Sequence, residues 1–263
     1  MELLQPLLQL VNYKVEAAIW VGISMALYAL GVDISWHYRQ PRPGRLGTWV
    51  RTIKEWPYRC WLIEAIRFLY YIGIPYAGLL RGIVLPRLVG LTDPDWVKGV
   101  GLGAALGTGA LLLLALICWW YTRAIMALPV PMKKGRPGHE PTNGWELLRE
   151  VIYLQTHWAF YRSVVILLLD DYYWGTFLGF LLITLEWATN PAWRKDLGLP
   201  WRSVTPLLRW SMALLTAVIF ALTRNLWVLV PLHWIIEKAC QQLLGVGEQQ
   251  MGRILGSNSF NQG

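Results

Sequence analysis

Charged residues are scarce in this chain of 263 residues, because Asp, Glu, Lys and Arg together make up only 15% of it. A soluble domain carries about a quarter charged residues. Hydrophobic residues make up 55% of the chain, and its mean hydropathy is +0.37. Its 17 Trp and 12 Tyr have rings that concentrate at membrane–water boundaries. This balance excludes an ordinary soluble domain and predicts an all-α protein that crosses a membrane several times.

Cysteine is also scarce, and its three positions, Cys60, Cys118 and Cys240, are widely spaced in or beside apolar segments. That spacing indicates neither a disulfide framework nor a metal knuckle, and it predicts small buried side chains. A removable signal peptide is not expected, because the first residues carry no basic charge. Helical spacing instead predicts a short interfacial helix over 1–12, with an apolar stripe formed by Leu3, Leu4, Leu7, Leu8 and Val11.

Seven segments are apolar enough to cross a bilayer, for which a helix needs about 20 mainly apolar residues. They lie near 15–35, 60–84, 98–121, 150–169, 172–189, 204–222 and 226–244. We therefore predict a bundle of about seven spans, with residues 1–263 forming a single membrane domain. The first three spans occupy 15–121, and the polar residues 256–263 are expected to form a flexible tail.

Basic residues recur in every second connection between these segments, which predicts the orientation of the bundle. They are Arg39, Arg42, Arg45, Arg51, Lys54 and Arg59, then Arg123, Lys133, Lys134 and Arg136, then Arg194, Lys195 and Arg202. The alternation places the N-terminus outside and the C-terminus inside a bacterial cytoplasmic (inner) membrane. Topology and contact with anionic membrane lipids account for the net charge of +8, so no nucleic-acid partner is expected.

Glycines over 99–109 suggest two different structures. Gly99, Gly101 and Gly103 resemble the start of a dinucleotide-binding fingerprint, but Leu106 occupies the position of its third glycine and no βαβ pattern surrounds it. Gly99, Gly103 and Gly107 recur every fourth residue. This spacing places them on one helix face and predicts close packing against another helix.

Four ionisable side chains lie inside apolar segments: His157, Glu186, His233 and Glu237. A charge at the centre of a membrane helix costs about 2.5–3.5 kcal/mol on insertion scales, so such residues usually serve a purpose. His233 and Glu237 are one helical turn apart, and the predicted topology allows all four groups to converge.

Four further charged residues lie in the apolar segments. Glu150 shares a helix face with His157 about 10 Å away. Arg162 needs an acidic partner from another helix or a route to water. Glu64 and Arg67 are expected to form a local ion pair.

Two chemistries fit the four groups. A carboxylate could activate a water molecule beside histidines that hold an oxyanion, giving peptide hydrolysis. Two histidines and two glutamates could instead bind a divalent metal such as zinc. The alternative is a purely structural network in which neighbouring helices satisfy one another's buried polar groups.

Three stretches together resemble the CPBP intramembrane protease family, which includes CAAX prenyl endopeptidases. They are His157-Trp-Ala-Phe-Tyr-Arg162, Thr223-Arg-Asn-Leu-Trp227 and His233-Trp-Ile-Ile-Glu237, within a CPBP-like core over 145–245. Family members carry Glu-Glu-x-x-x-Arg, Phe-x-x-x-His and His-x-x-x-Asn motifs on successive membrane helices. In the first motif Arg162 matches the arginine, while His157 and Trp158 occupy the two glutamate positions. In the second motif Glu186 occupies the histidine position. In the third motif His233 matches the histidine, and Glu237 occupies the asparagine position.

The resemblance implies intramembrane peptide-bond hydrolysis of a membrane-protein or peptide substrate. Glu186 would then be the base, His157, His233 and Glu237 its water or metal partners, and Arg162 a charge partner. The alternative is a catalytically inactive pseudoenzyme that serves as an accessory or scaffold subunit of a larger membrane complex. A transporter is a third reading, although no paired inverted halves are visible.

Overall fold

The fold is described by a computed structural model that covers residues 4–40, 52–53, 55–126, 143–199 and 202–260. The side chains of 4–11, 125–126 and 245–260 are not described. In these ranges the regular structure is helical, as predicted. The helices are α1 (Leu4–Arg39), α2 (Arg59–Phe68), α3 (Ile74–Leu80), α4 (Pro86–Val89), α5 (Trp96–Met126), α6 (Gly144–Leu169), α7 (Tyr172–Ala188), α8 (Pro191–Leu197), α9 (Val204–Thr223) and α10 (Leu226–Phe260).

Three of these helices are long and apolar enough to cross a membrane. The stretches are Asn12–Arg39 in α1, Trp96–Ala124 in α5 and Val204–Thr223, which is all of α9. They coincide with the first, third and sixth predicted segments. Length and composition thus support a membrane protein with an all-helical fold.

Both ends of the chain differ from the expectation. α1 runs without a break from Leu4 to Arg39, so the helix expected over 1–12 is the start of one long helix. Pro6 lies in the first turn, where a missing amide is tolerated, and no helix breaker follows until Gly22. α10 likewise continues to Phe260, so the tail expected from 256 is helical there, and no proline follows Pro231 to end it.

The second predicted segment contains a π-helical turn. α2 passes directly into a π-turn at Leu69–Gly73 and then into α3. Pro75 lacks the amide that would bond to the carbonyl of Tyr71, and its ring crowds that carbonyl, so a widened turn relieves the clash. The helix ends at Leu80, four residues before the predicted boundary, and the chain reverses at Gly82 with φ of 74°.

Glycines allow α5 to pack closely against α10. A Cβ atom on Gly99 would lie 2.9 Å from the Asn225 side chain, and one on Gly103 would lie 2.6 Å from Val228. Gly107 faces Leu232 in the same way. The predicted packing face is confirmed. Because 99, 103 and 107 meet 225, 228 and 232 in the same order, the two helices run parallel.

A second close crossing joins α6 and α7. A Cβ atom on Gly175 would lie 2.6 Å from the Ile166 backbone, and one on Gly179 would lie 2.9 Å from that of Arg162. The connection consists of Asp170, with φ of 57°, and Asp171, whose side chain accepts a hydrogen bond from the Trp174 amide at 2.8 Å. This tight turn forces the two helices to pack antiparallel along their length.

Contacts between distant segments identify the two ends of the bundle. At one end the Tyr13 hydroxyl donates to the Gly82 carbonyl, and Lys14 donates to the Leu168 carbonyl at 3.0 Å. At the other, Lys195 lies over the Trp36 ring at 5.6 Å. Residues 13 and 36 of α1 are separated by roughly 35 Å at 1.5 Å per residue, which is enough to cross a bilayer.

The cysteines divide into two groups. Cys118 and Cys240 are buried, as predicted, but Cys60 is exposed. Cys60 lies in α2, in which no residue is buried, so its apolar surroundings in sequence do not become a packed core. The expectation of a buried thiol is therefore wrong for Cys60.

We expect Gly103→Leu to lower the free energy of unfolding of the detergent-solubilised protein by about 1–3 kcal/mol, because the added side chain must displace Val228. Gly101→Leu is the matched control, since nothing lies within 4 Å of a Cβ atom at that position. Thermal unfolding followed by circular dichroism measures both. Equal losses for the two variants would contradict the proposed packing of α5 on α10.

Candidate functional site

The first polar cluster is centred on a histidine–glutamate pair. His157 Nε2, on α6, lies 3.0 Å from Glu186 Oε2, on α7. The exposed fraction of each side chain is 2%. The Tyr70 hydroxyl lies 3.3 Å from both His157 Nε2 and Glu186 Oε1. The carboxylate is therefore held between a ring nitrogen and a phenol, away from water.

Helix α1 and the π-turn also contribute to this first cluster. The Tyr70 hydroxyl lies 3.2 Å from the Ser24 carbonyl of α1, and the Tyr161 hydroxyl donates to Ser24 Oγ at 3.2 Å. The Tyr71 ring packs edge-on against His157 at 5.4 Å. Tyr70 and Tyr71 both belong to the π-turn, which presents two successive phenols to one site. No role was predicted for Ser24, Tyr70 or Tyr161, and the sequence signal for them is the Tyr-Tyr pair shortly before Pro75.

The second cluster is centred on His233 and Glu237, one turn apart on α10 as predicted. His233 Nε2 lies 3.0 Å from Glu237 Oε2, and Gln155 Nε2 of α6 lies 2.8 Å from His233 Nδ1. The Trp158 ring stacks on His233 with 5.4 Å between centroids and an interplanar angle of 14°. Both ring nitrogens of His233 are thus occupied. Gln155, a polar residue in an apolar segment, could have been noticed from the sequence.

The two clusters do not join into one site. Trp158 contacts His233 on one side and packs edge-on against Trp187 at 5.8 Å. Among the residues that the structure describes, no three His, Cys, Asp or Glu side chains are grouped so as to hold a metal ion. The predicted metal centre of His157, Glu186, His233 and Glu237 is therefore not formed, because each histidine is paired with its own carboxylate.

Arg162 is buried, and no carboxylate of the described residues pairs with it, although an acidic partner or a route to water was expected. Its exposed fraction is 1%, and its guanidinium carbon lies 4.5 Å from the centre of the Phe220 ring. Neither Nε nor Nη2 has a hydrogen-bond partner in the described part of the chain. A cation–π contact with α9 thus replaces the predicted ion pair, and Gly179 packs against the backbone at this position.

Glu150 belongs to an ion-pair network at the end of α6 and not to the His157 cluster. Arg67 Nη2 lies 2.6 Å from Glu150 Oε2, while the predicted pair of Arg67 with Glu64 is longer at 3.4 Å. Arg149 also approaches Glu64 at 3.4 Å. These side chains are about one-fifth to two-fifths exposed, so the network ties α2 to α6 near the surface of the protein.

No protein-family model, no curated protein and no solved structure matches this chain. The resemblance of 145–245 to CPBP proteases therefore depends on the quoted motif residues alone. The function of the chain must therefore be inferred from the geometry of these residues.

We expect Glu186→Ala to lower the free energy of unfolding by about 3–5 kcal/mol, because it leaves the buried His157 and Tyr70 without their shared acceptor. Asp196→Ala is the control. It removes an exposed pair with Arg202 at 3.5 Å, for which the loss is below about 1 kcal/mol. Chemical denaturation in detergent micelles measures both variants, and similar losses would contradict the structural importance of the Glu186 cluster.

Proposed function

We propose that this chain is a non-catalytic subunit of a larger membrane assembly, built on a helical scaffold that resembles the CPBP proteases. The observation that supports this proposal is that each histidine is paired with its own carboxylate inside the protein. A general base must be within reach of a water molecule and a substrate. His157, Glu186 and His233 are at most 2% exposed, and both ring nitrogens of His233 are engaged. Such an arrangement stabilises a fold and leaves little access for hydrolysis.

The proposal includes a seven-span topology in a bacterial cytoplasmic membrane, with the N-terminus outside. Three observations support it. Residues near 13, 82 and 168 meet at one end of the bundle, as an alternating topology requires. Residues 36 and 195, both in predicted inner connections, meet at the other end. α5 and α10 are parallel, as expected for the third and seventh spans, because the chain crosses the membrane three times between them.

α5 offers a surface on which another membrane helix could dock. On the exposed face of α5, opposite the glycines that contact α10, small residues recur every fourth position at Gly101, Ala105 and Gly109. Nothing lies within 4 Å of a Cβ atom at Gly101 or Gly109. Leu112 and Leu116 continue this face at 67% and 52% exposure. Small residues let helix backbones approach closely in membranes, and only 17% of the span in α5 is buried within the chain.

We expect Gly101→Leu to release the chain from its assembly, because a bulky side chain there blocks the approach of a partner helix. Size-exclusion chromatography of mild-detergent extracts measures this as a shift of the chain to the mass of the free subunit. Gly22→Leu is the matched control and keeps the larger assembly, because Gly22 is exposed on α1 and nothing lies within 4 Å of a Cβ atom there. If the unaltered chain elutes alone from native membranes, the subunit proposal is wrong.

One observation favours hydrolysis as a second candidate function. Among the described residues His157 Nδ1 has no hydrogen-bond partner although it is buried, while Nε2 lies against Glu186. A carboxylate that orients a histidine through one nitrogen leaves the other free to accept a proton from water. In this candidate His157 is the base and Glu186 the orienting acid, which reverses the role that the sequence motif suggested for Glu186.

Peptide turnover separates the two candidates. The purified chain is incubated with a fluorogenic prenylated CAAX-type peptide, the substrate class implied by the resemblance. A non-catalytic subunit gives no turnover above a protein-free blank. If turnover occurs, His157→Gln is expected to lower kcat about 10²–10⁴-fold. His233→Gln, the matched control in the closed pair, is expected to retain turnover. A loss that is equal in both variants would assign the effect to folding and contradict the His157 mechanism.

A further inference from the structure

The two buried cysteines meet although they are far apart in the sequence. Cys118 lies on α5 and Cys240 on α10, with exposed fractions of 4% and 0%. Both side chains belong to one packed cluster of buried residues. The surrounding cluster is apolar and includes Leu114, Met212 and Ile236. The pair thus lies in a packed interface between two helices and not in a loop that could separate freely.

The glycine contacts explain why Cys118 lies beside Cys240. Gly99, Gly103 and Gly107 hold α5 against α10 over three turns, and the helices run parallel. Parallel helices advance by the same 1.5 Å per residue, so the offset of 125 residues between the facing positions places Cys118 level with residue 243, between Cys240 and Leu244 of the same cluster. The backbones remain close because no side chain at the glycines separates them. This close approach is what a disulfide requires of two helices.

We propose that Cys118 and Cys240 are an oxidisable pair whose disulfide locks α5 to α10. In the step, both S–H bonds break and one S–S bond forms. The two protons and two electrons pass to a small two-electron oxidant, for which an azodicarboxamide such as diamide serves, its N=N bond becoming a hydrazine. The sulfur atoms must approach to about 2.05 Å, a shift that rotation of the two side chains can supply.

The lock would act next to the second histidine–glutamate pair. Cys240 is three residues after Glu237 and therefore lies about one turn away on the same helix. A bond at Cys240 fixes the position and rotation of α10 relative to α5 at that level. The third cysteine takes no part, because Cys60 is exposed on α2.

The test counts thiols in the full-length chain oxidised in its own membranes. After diamide treatment the sample is quenched with acid, denatured, and alkylated with a maleimide polymer that shifts the gel band once per free thiol. Untreated protein carries three labels, one for each cysteine. The oxidised protein is expected to carry a single label, to remain monomeric, and to lose the mass of two hydrogen atoms.

Single cysteine-to-serine variants identify which two thiols form the disulfide. Cys60→Ser is expected to leave the oxidised protein with no label, whereas Cys118→Ser and Cys240→Ser each keep both remaining labels. Each variant is compared with its own unoxidised sample, and its monodisperse elution in detergent checks the fold. Three labels after oxidation of the unaltered chain would overturn the proposal. So would a bond that persists in Cys118→Ser, or crosslinked dimers formed through Cys60.

Discussion

The burial of ionisable side chains away from water is the constraint on which the rest of this bundle depends. In a membrane a polar group must find its partner within the protein, since hydrocarbon offers none. His157 and Glu186 do so across α6 and α7, while Tyr70 adds the π-turn and Ser24 adds α1 to the same cluster. One set of hydrogen bonds therefore fixes four stretches of the chain relative to one another. Gln155 and His233 connect α6 to α10 in the same way.

These polar contacts are possible only because the helices approach closely elsewhere. Gly179 allows α7 to lie against the backbone of α6 at Arg162, and Glu186, two turns further along α7, then reaches His157. Gly99, Gly103 and Gly107 perform the corresponding role for α5 and α10. The same closeness leaves His157, Glu186 and His233 at most 2% exposed. Each carboxylate is enclosed with its own histidine, and this favours a structural network over a metal site.

The parts of the fold that were predictable are those with a local physical cause. The apolar segments, the packing face of the α5 glycines and the pairing of His233 with Glu237 all follow from helical periodicity. The errors arise where partners are remote in sequence. The pairing of Glu150 with Arg67 was not anticipated, and Arg162 lies against Phe220 with no carboxylate of the described residues beside it. The π-turn was also missed, because its cause depends on how a helix absorbs a single proline.

The amino-acid sequence by itself determined that this protein is helical and apolar, which helix faces are small, and which ionisable groups lie inside the bundle. Spacing along a helix converts directly into position on its surface, so one chain suffices for those conclusions. Only the tertiary structure decided that the four central groups divide into two closed pairs and that Cys118 and Cys240 lie in one buried cluster. The reason is physical: a contact between helices depends on their rotation and crossing, and these are set by the packing of the whole bundle.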